Sequence, residues 1–227
     1  MIDLSADLGE GSPGEDEIWP LITSANVACG GHTGDEQSMR EAAQLAREYS
    51  VRFGAHPSYP DRENFGRKSL AMPPDDLRAS LIAQITALAA FAPVHHVKPH
   101  GALYNDAHKD RALADVIVSA LGRTIAIVAP DHSQMAAAAR DAGVRVIREA
   151  FADRRYEPDG SLTPRSIAGS TLTIEEAAAQ AVLLARDNAV IARDGTRVTI
   201  AFDTLCIHAD MPNAVERLRA IRRAIDK

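Results

Sequence analysis

The chain has 227 residues, of which 46% are hydrophobic and 4% aromatic, and its 25 basic and 31 acidic residues give a formal net charge of −6. This composition supports a sizeable core, whereas the acidic balance and the scarcity of aromatic side chains argue against nucleic acid or an anionic membrane as a partner. Cys29 and Cys206 lie too far apart in sequence to indicate a disulfide framework or a cysteine zinc motif. We therefore expect a soluble, cytoplasmic protein with a single domain over residues 1–227.

Short apolar runs rich in β-branched residues alternate with helical patterns along the chain. The runs predict strands at residues 2–6, 24–28, 52–55, 95–98, 124–129, 144–148 and 198–202. The apolar spacing between them predicts helices at residues 35–49, 73–91, 110–121, 132–142, 174–192 and 212–225. Helix starts are marked by Pro73 and Pro74 ahead of two acids, and by Thr173 as an N-cap ahead of Glu175 and Glu176.

Seven βα units in one continuous alternation predict a parallel α/β fold, either a closed barrel or an open doubly wound sheet. The first strand is not followed by a glycine-rich fingerprint that opens a helix, because Gly9, Gly11 and Gly14 lie in an acidic loop that would repel phosphates. A dinucleotide-binding sheet is therefore disfavoured. The sequence predicts a seven-stranded parallel β/α barrel of the TIM type.

Polar and ionisable side chains cluster where the predicted strands end. They are Asp7, Glu10, His32, His56, Lys98, His100, Asp131, His132, Glu149, Asp153, Arg154, Asp203 and His208. The carboxyl ends of barrel strands converge on one mouth, where active sites are built. Five of the eight histidines fall at such ends, which scattered surface histidines would rarely do. These positions indicate an active site at that mouth.

Other residues of the same types favour structural interpretations. His95 and His96 lie within a predicted strand and His108 in a polar loop, so we expect structural roles for all three. Cys29 is expected to be a small buried thiol. Lys98 differs, because burying an unpaired ammonium is costly, and a lysine at the end of a buried strand therefore needs a partner or a function.

Asp7, His56 and His100 offer one carboxylate and two imidazoles, a ligand set that suits Zn²⁺ or a similar divalent ion. The same three side chains could instead form a metal-free acid/base cluster, in which Asp7 orients or charges a histidine. Their irregular spacing is unlike the helical HExxH pattern. The sequence leaves both interpretations open.

Seven segments carry a resemblance to a known family, in collinear order over essentially the whole chain. They are residues 3–11, 23–32, 54–61, 65–67, 96–105, 151–154 and 203–208, and they include the sequences DLSADLGEG, TSANVACGGH and HVKPHGALYN. In these segments the chain resembles the LamB/YcsF family. It departs from the usual family pattern at Ser5, Ala6, Gly31 and Ala209, and these changes leave the ionisable residues intact.

The resemblance implies a fold, an activity and partners. The implied fold is a seven-stranded β/α barrel similar to the glycoside hydrolase/deacetylase superfamily. The implied activity is that of an ATP-dependent 5-oxoprolinase, which cleaves the lactam of 5-oxo-L-proline to L-glutamate with hydrolysis of ATP. Members of the family correspond to the A subunit of that enzyme, with subunits B and C as partners. The chain contains no GxxxxGK[ST] sequence, so the partners, or an unrecognised site in this barrel, are expected to handle ATP.

We expect the ionisable residues to divide the work of ring opening. Asp7 or Glu10 would act as general base on water, while His56 and His100 would orient that water or hold a metal. Lys98 and Arg154 would stabilise the anionic intermediate. The residues expected to bind substrate are His32, Arg165, Asp203 and His208, with Arg165 clamping the substrate carboxylate.

Two other functions remain open at this point. The first is a free-standing metal-dependent deacetylase or amidase that acts on an N-acyl substrate. The second is a carboxylate-binding scaffold that presents substrate to partners without catalysing a reaction. The density of ionisable groups at the strand ends favours an enzyme over a scaffold.

Overall fold

The structure, a computed structural model, describes residues 2–122 and 124–226. The strands in this part of the chain are β1 Asp3–Leu8, β2 Ser24–Ala28, β3 Arg52–His56, β4 His96–Val97, β5 Ala126–Ala129, β6 Val146–Phe151, β7 Ala189–Ile191, β8 Arg197–Thr199 and β9 Thr204–Cys206. Seven of them are parallel and close into a barrel in the order β1-β2-β3-β4-β5-β6-β9, in which β9 pairs with both β6 and β1. The predicted barrel is confirmed.

Helices surround the barrel and follow its strands along the chain. They are α1 Glu36–Glu48, α2 Pro74–Ala89, α3 Gly101–Lys109, α4 Arg111–Ser119, α5 Gln134–Asp141, α6 Ile174–Asp187 and α7 Ala214–Ile225. The predicted N-cap at Thr173 is confirmed, since its side chain accepts a hydrogen bond from the backbone N–H of Glu176. The Glu176 carboxylate in turn accepts one from the backbone N–H of Thr173. Within the described residues, no helix combines the length and the apolar composition that crossing a membrane requires.

The seventh barrel strand was wrongly predicted at residues 198–202. Arg197–Thr199 instead pairs antiparallel with Ala189–Ile191, which lies inside the helix predicted at residues 174–192. That helix ends earlier because Asn188 adopts a left-handed conformation. The β-branched Val190 and Ile191 then lead into the turn at Asp194 and Gly195, an Asp-Gly pair typical of hairpins. The barrel closes one segment later, at Thr204–Cys206.

The short helix α3 was not predicted, and His108 lies in it rather than in a loop. A single residue, Asp110, separates α3 from α4, and its side chain caps α4 by accepting a hydrogen bond from the backbone of Leu113. Gly101 begins α3 with φ +58°, and glycine is required here because a Cβ would lie 2.5 Å from the Gly66 carbonyl oxygen. The sequence Pro99-His100-Gly101 is typical of a turn, so the start of a helix at Gly101 could not be predicted from it.

The two faces of the barrel strands carry different kinds of side chain. On β1, Leu4, Ala6 and Leu8 are fully buried in the hydrophobic core, as strand alternation requires. The alternate residues Ser5 and Asp7 instead contact polar side chains of other barrel strands. The barrel interior is therefore polar near its carboxyl end, which is where the site lies.

Candidate active site

A cavity of about 310 Å³ opens at the carboxyl ends of the strands. We call it the mouth cavity. The predicted site residues that line it are Asp7, Glu10, His56, Lys98, His100, Arg154, Arg165 and His208. A larger cavity of about 780 Å³ adjoins it and shares Tyr104, Asn105, Phe151 and Leu162 as lining residues.

Glu10, His56 and His100 form a triad at the base of the mouth cavity. One ligand atom from each lies within 4.8 Å of the others. His56 Nε2 lies 3.0 Å from His100 Nδ1, and Glu10 Oε1 lies 3.8 Å and 3.3 Å from these two nitrogens. A carboxylate and two imidazoles at this spacing match the donor set of a divalent metal site.

Backbone carbonyls determine which ring nitrogens carry hydrogen. His56 Nδ1 lies 2.7 Å from the Lys98 carbonyl oxygen, and His100 Nε2 lies 3.0 Å from the Phe65 carbonyl oxygen. A carbonyl oxygen only accepts, so each of these nitrogens donates. In the neutral rings, the two nitrogens that face each other then both carry lone pairs. Two lone pairs at 3.0 Å need a cation between or beside them, either a shared proton or a metal ion.

The electrostatics favour the neutral form of His56. Burial lowers the pKa of His56 to about 3, although the Asp7 carboxylate acts in the opposite direction. Burial also opposes ionisation of Glu10, but the neighbouring imidazoles of His100, His32 and His56 hold its pKa well below the ordinary value. A neutral imidazole beside an ionised carboxylate is the protonation state that binds a metal ion.

Asp7 does not belong to the triad, contrary to the predicted set of Asp7, His56 and His100. Its Oδ1 accepts hydrogen bonds from Asn26 Nδ2 at 2.8 Å and from Lys98 Nζ at 3.0 Å. Its Oδ2 lies 3.5 Å from His56 Nε2. Because Asp7 is already paired with a cation, Glu10 is the carboxylate that completes the triad.

Lys98 is a buried cation with two carboxylate partners. Its Nζ lies 3.0 Å from Asp7 and 2.8 Å from Glu149, whose Oε2 also accepts a hydrogen bond from Tyr104. Burial opposes the charge, but Asp7, Cys206 and Glu149 keep the pKa of Lys98 well above its ordinary value. Lys98 therefore stays protonated and can stabilise developing negative charge, but it cannot serve as a neutral amine nucleophile.

Arg154 supplies positive charge on another wall of the mouth cavity. Its Nε donates to the Ser170 carbonyl at 3.2 Å and its Nη2 donates to the Thr163 carbonyl at 2.6 Å. Within residues 2–122 and 124–226, no acidic side chain forms a salt bridge with it. Burial and the charge of Arg165 both lower the pKa of Arg154. Two guanidinium groups held near each other favour the binding of an anion.

The LamB/YcsF family profile matches residues 2–227. The chain belongs to the LamB/YcsF family. It is 46% identical to the 5-oxoprolinase A subunit of Methylococcus capsulatus, over 97% of this chain and 90% of that protein.

Solved structures agree with the fold. The lactam utilization protein from Thermus thermophilus superposes with a TM-score of 0.93 at 43% identity, over 99% of this chain and 96% of the other. A family 4 carbohydrate esterase from Streptomyces lividans, in complex with acetate, matches with a TM-score of 0.50 at 9% identity, over 99% of this chain and 87% of that one. The second likeness concerns the barrel alone.

Two predicted substrate-binding residues of this LamB/YcsF chain lie outside the mouth cavity. His32 is 2% exposed, stacks on His100 at 3.7 Å between ring centroids, and places Nε2 3.0 Å from Glu10 Oε1. It therefore orients Glu10 from behind. Asp203 precedes β9 instead of following the seventh strand, and it pairs with Arg148 near the amino ends of the strands. The misplaced strand caused this error.

Several residues of the site were not predicted because they lie inside strands or a helix. Asn26 is in the middle of β2, and Cys206 is the last residue of β9, with Sγ 3.2 Å from Lys98 Nζ. Tyr104 is in α3. Glu149, by contrast, was among the strand-end residues predicted at the mouth, and it lies within β6 because that strand continues to Phe151. A carboxylate in a buried strand needs a cation, and Lys98 supplies it.

The departures from the usual family sequence have little direct contact with the mouth cavity. Ser5 accepts a hydrogen bond from Thr204 inside the barrel, and Ala6 packs in the core. At Gly31, a Cβ would lie 2.3 Å from Gln84 Oε1, so the Gln84 amide fills the space a side chain would occupy. Ala209 does line the cavity. It is the departure with a direct bearing on substrate fit.

Proposed function

We propose that this chain is the A subunit of an ATP-dependent 5-oxoprolinase and opens the lactam ring of 5-oxo-L-proline to give L-glutamate. The observation that carries the proposal is the mouth cavity itself. It places the triad of Glu10, His56 and His100 beside the Asp7–Lys98 pair, and it holds the buried Arg154 as a further cation. The 46% identity to the 5-oxoprolinase A subunit of Methylococcus capsulatus supports this proposal.

The charges of the cavity suit a small anionic lactam. A volume of about 310 Å³ is that of a site for a small molecule. Arg154 and Arg165 would bind the carboxylate of 5-oxoproline, and guanidinium groups favour this ligand because they can donate two parallel hydrogen bonds. The lactam carbonyl would then lie towards Lys98 and the triad.

The triad fits a divalent metal ion, because His56 Nε2 and His100 Nδ1 present lone pairs beside the ionised Glu10. An ion held by these three residues would polarise a carbonyl and lower the pKa of a water molecule. The low pKa of Asp7 makes its carboxylate a weak base. An ion that lowers the pKa of the attacking water would compensate for this weakness.

The chain's own residues would carry the proton and the charge. Asp7 accepts a proton from the attacking water as the oxygen of that water bonds to the lactam carbonyl carbon. Lys98 stabilises the negative charge that develops. The carbon–nitrogen bond of the ring then breaks, and Asp7 returns its proton to the leaving nitrogen. The new carboxyl group then passes its proton to the amine, so the products are the carboxylate and the ammonium group of L-glutamate.

We assign the consumption of ATP to subunits B and C. This chain contains no GxxxxGK[ST] sequence, and its cations at the mouth cavity are used for the substrate and for the buried carboxylates. A lactam amide is a poor electrophile, so coupling to ATP would activate it before or during ring opening. The partners would deliver that activation.

The test is a reconstitution of this chain with subunits B and C, 5-oxoproline and ATP, followed by an assay for glutamate. We expect glutamate only when all components are present. Lys98→Ala and His100→Ala should lose at least about 100-fold in rate, as expected when a charge-stabilising or proton-handling group is removed. Arg40→Ala, on the exposed face of α1, is the control and should keep the wild-type rate. Wild-type rates in folded Lys98→Ala and His100→Ala complexes would contradict the proposal.

The triad also supports a second candidate, a metal-dependent amidase or deacetylase that works without partners. The distinguishing measurement is hydrolysis of N-acyl substrates by the purified chain, with and without a chelator. Activity that needs a bound metal but neither ATP nor subunits B and C would favour this candidate over the 5-oxoprolinase.

A further inference from the structure

A chain of hydrogen-bonded polar side chains runs through the barrel interior to Asp7. The strand register places Asp7, Asn26, Gly54 and His96 side by side across β1 to β4. Asn26 Nδ2 lies 2.8 Å from Asp7 Oδ1, and Asn26 Oδ1 lies 2.9 Å from His96 Nε2. The ring of His96 crosses the position that a side chain at residue 54 would occupy, since a Cβ there would lie 2.1 Å from His96 Nε2. Gly54 is what allows His96 to reach Asn26.

The direction of every hydrogen bond in this chain follows from its ends. The ionised Asp7 carboxylate only accepts, so Asn26 donates to it through Nδ2 and turns Oδ1 towards His96. That oxygen only accepts, so His96 donates through Nε2. Burial lowers the pKa of His96 to about 3, so the ring is neutral and its Nδ1 carries a lone pair.

The chain continues to the amino end of the barrel in the same direction. His95 Nδ1 lies 3.2 Å from His96 Nδ1 and must donate to it. His95 Nε2 therefore accepts, and Arg145 Nη2 lies 3.1 Å away as its donor. Donation thus runs without a break from Arg145 to Asp7.

Burying these polar side chains stabilises the fold less than apolar side chains in the same space would. Their presence therefore points to a function at the site. Asn26 and His96 are 0% and 1% exposed. Buried polar groups are tolerated when fully paired, yet apolar side chains of similar volume serve packing equally well. The chain does not serve as a proton conduit, because the amide of Asn26 neither gains nor loses a proton in ordinary conditions. What it determines is the orientation of the Asp7 carboxylate.

We propose that Asn26 and His96 are positioning residues, which hold Asp7 Oδ1 inside the barrel so that Oδ2 faces His56 and the mouth cavity. The kinetic part of this inference rests on the proposed function of Asp7. Lys98 contacts both carboxylate oxygens, at 3.0 and 3.1 Å, and therefore does not distinguish them. The bond from Asn26 does distinguish them, and His96 keeps the Asn26 amide from rotating.

Three substitutions test the proposal in the reconstituted complex with subunits B and C. His96→Leu removes the donor at similar volume, His96→Gln keeps a donor N–H, and His108→Leu is the same change in a histidine outside the chain. In His96→Leu we expect kcat to fall about 10- to 100-fold, the usual effect of losing a group that orients another. KM for 5-oxoproline and the affinity of the triad for Zn²⁺ should stay within about threefold of wild type. His96→Gln should recover most of kcat, and His108→Leu should behave as wild type.

Two structural readouts do not depend on turnover. In [¹⁵N]histidine-labelled wild-type protein, a long-range ¹H–¹⁵N spectrum should show His96 protonated at Nε2 and His95 at Nδ1. A crystal structure of His96→Leu should show the Asn26 amide and the Asp7 carboxylate rotated from their wild-type positions.

A folded His96→Leu complex with wild-type kcat would overturn the proposal, and so would the opposite His96 tautomer or an unmoved Asp7 in the variant. A parallel loss of kcat in His96→Leu and His96→Gln, with a matching loss of Zn²⁺ affinity, would reduce His96 to a general structural role and also overturn it. If the wild-type complex forms no glutamate, the proposed function fails, and the two structural readouts then decide the positioning role by themselves.

Discussion

Replacing Arg154 should remove the enzyme's preference for a substrate that carries a carboxylate. Arg154 is 6% exposed, and its Nε and Nη2 donate to backbone carbonyls, which leaves other N–H groups for a ligand in the mouth cavity. A hydrogen bond between charged groups contributes about 1.5–3 kcal/mol. Two such bonds to a carboxylate contribute at least about 3 kcal/mol, which corresponds to roughly a hundredfold in kcat/KM.

The assay compares 5-oxoproline with 2-pyrrolidinone, the same lactam without the carboxylate. The wild-type complex should prefer 5-oxoproline by about 100-fold or more in kcat/KM, and Arg154→Met should reduce that preference to below about tenfold. Arg155→Met, next in sequence and paired with Glu176 away from the cavity, is the control and should keep the wild-type preference. Equal losses on both substrates in Arg154→Met would refute carboxylate binding and indicate a purely structural role for its bonds to Thr163 and Ser170.

Three further predictions concern metal binding and stability. Removing metal with a chelator should abolish turnover. Glu10→Gln should weaken Zn²⁺ binding by at least about 10-fold in calorimetry, and wild-type affinity in this variant would contradict a metal site at the triad. Glu149→Leu should lower the free energy of unfolding by about 3–5 kcal/mol, because it leaves Lys98 with one buried partner, whereas Glu36→Leu at an exposed ion pair should change it by less than about 1 kcal/mol. Burial opposes ionisation of Asp3, but hydrogen bonds from Thr23, Thr204 and Ser24 and the charge of Arg52 hold its pKa below the ordinary value. The ionised Asp3 carboxylate therefore stabilises the fold above pH ~4, and this stabilisation is lost as the pH falls. Asp3→Asn should lower the free energy of unfolding by about 1–3 kcal/mol at neutral pH, and the difference from wild type should shrink as the pH is lowered. A difference that stays constant with pH would contradict this.

The barrel could be predicted from periodicity because its strands are buried on both faces. From β1 to β6 each strand overlaps an apolar run in the sequence, and β2 coincides with its run. The last strand could not be found in this way. Thr204–Cys206 is short and follows a more strongly β-branched segment, and that segment pairs with Ala189–Ile191 outside the barrel.

The general location of the site could be predicted, but the pairing of its residues could not. Strand ends converge whatever their sequence, so the placement of Lys98, His56 and His100 at one mouth follows from topology. Whether Asp7 or Glu10 joins the histidines depends on which carboxylate the lysine neutralises, and that is decided by side-chain distances. His32 looked equivalent to the other histidines in sequence, yet the loop after β2 places it behind Glu10.

The most direct test of the account is the rate of glutamate formation from 5-oxoproline by the reconstituted complex carrying Asp7→Asn. The substitution keeps the shape of the side chain but removes the charge that accepts the proton. We predict a loss of at least about 100-fold in kcat, the usual contribution of a general base, with Zn²⁺ affinity at the triad close to wild type. The free energy of unfolding should fall, because the substitution leaves Glu149 as the one carboxylate partner of the buried Lys98. A folded Asp7→Asn complex that forms glutamate within about threefold of the wild-type rate would contradict ring opening by Asp7 and support a chain that only presents substrate to its partners.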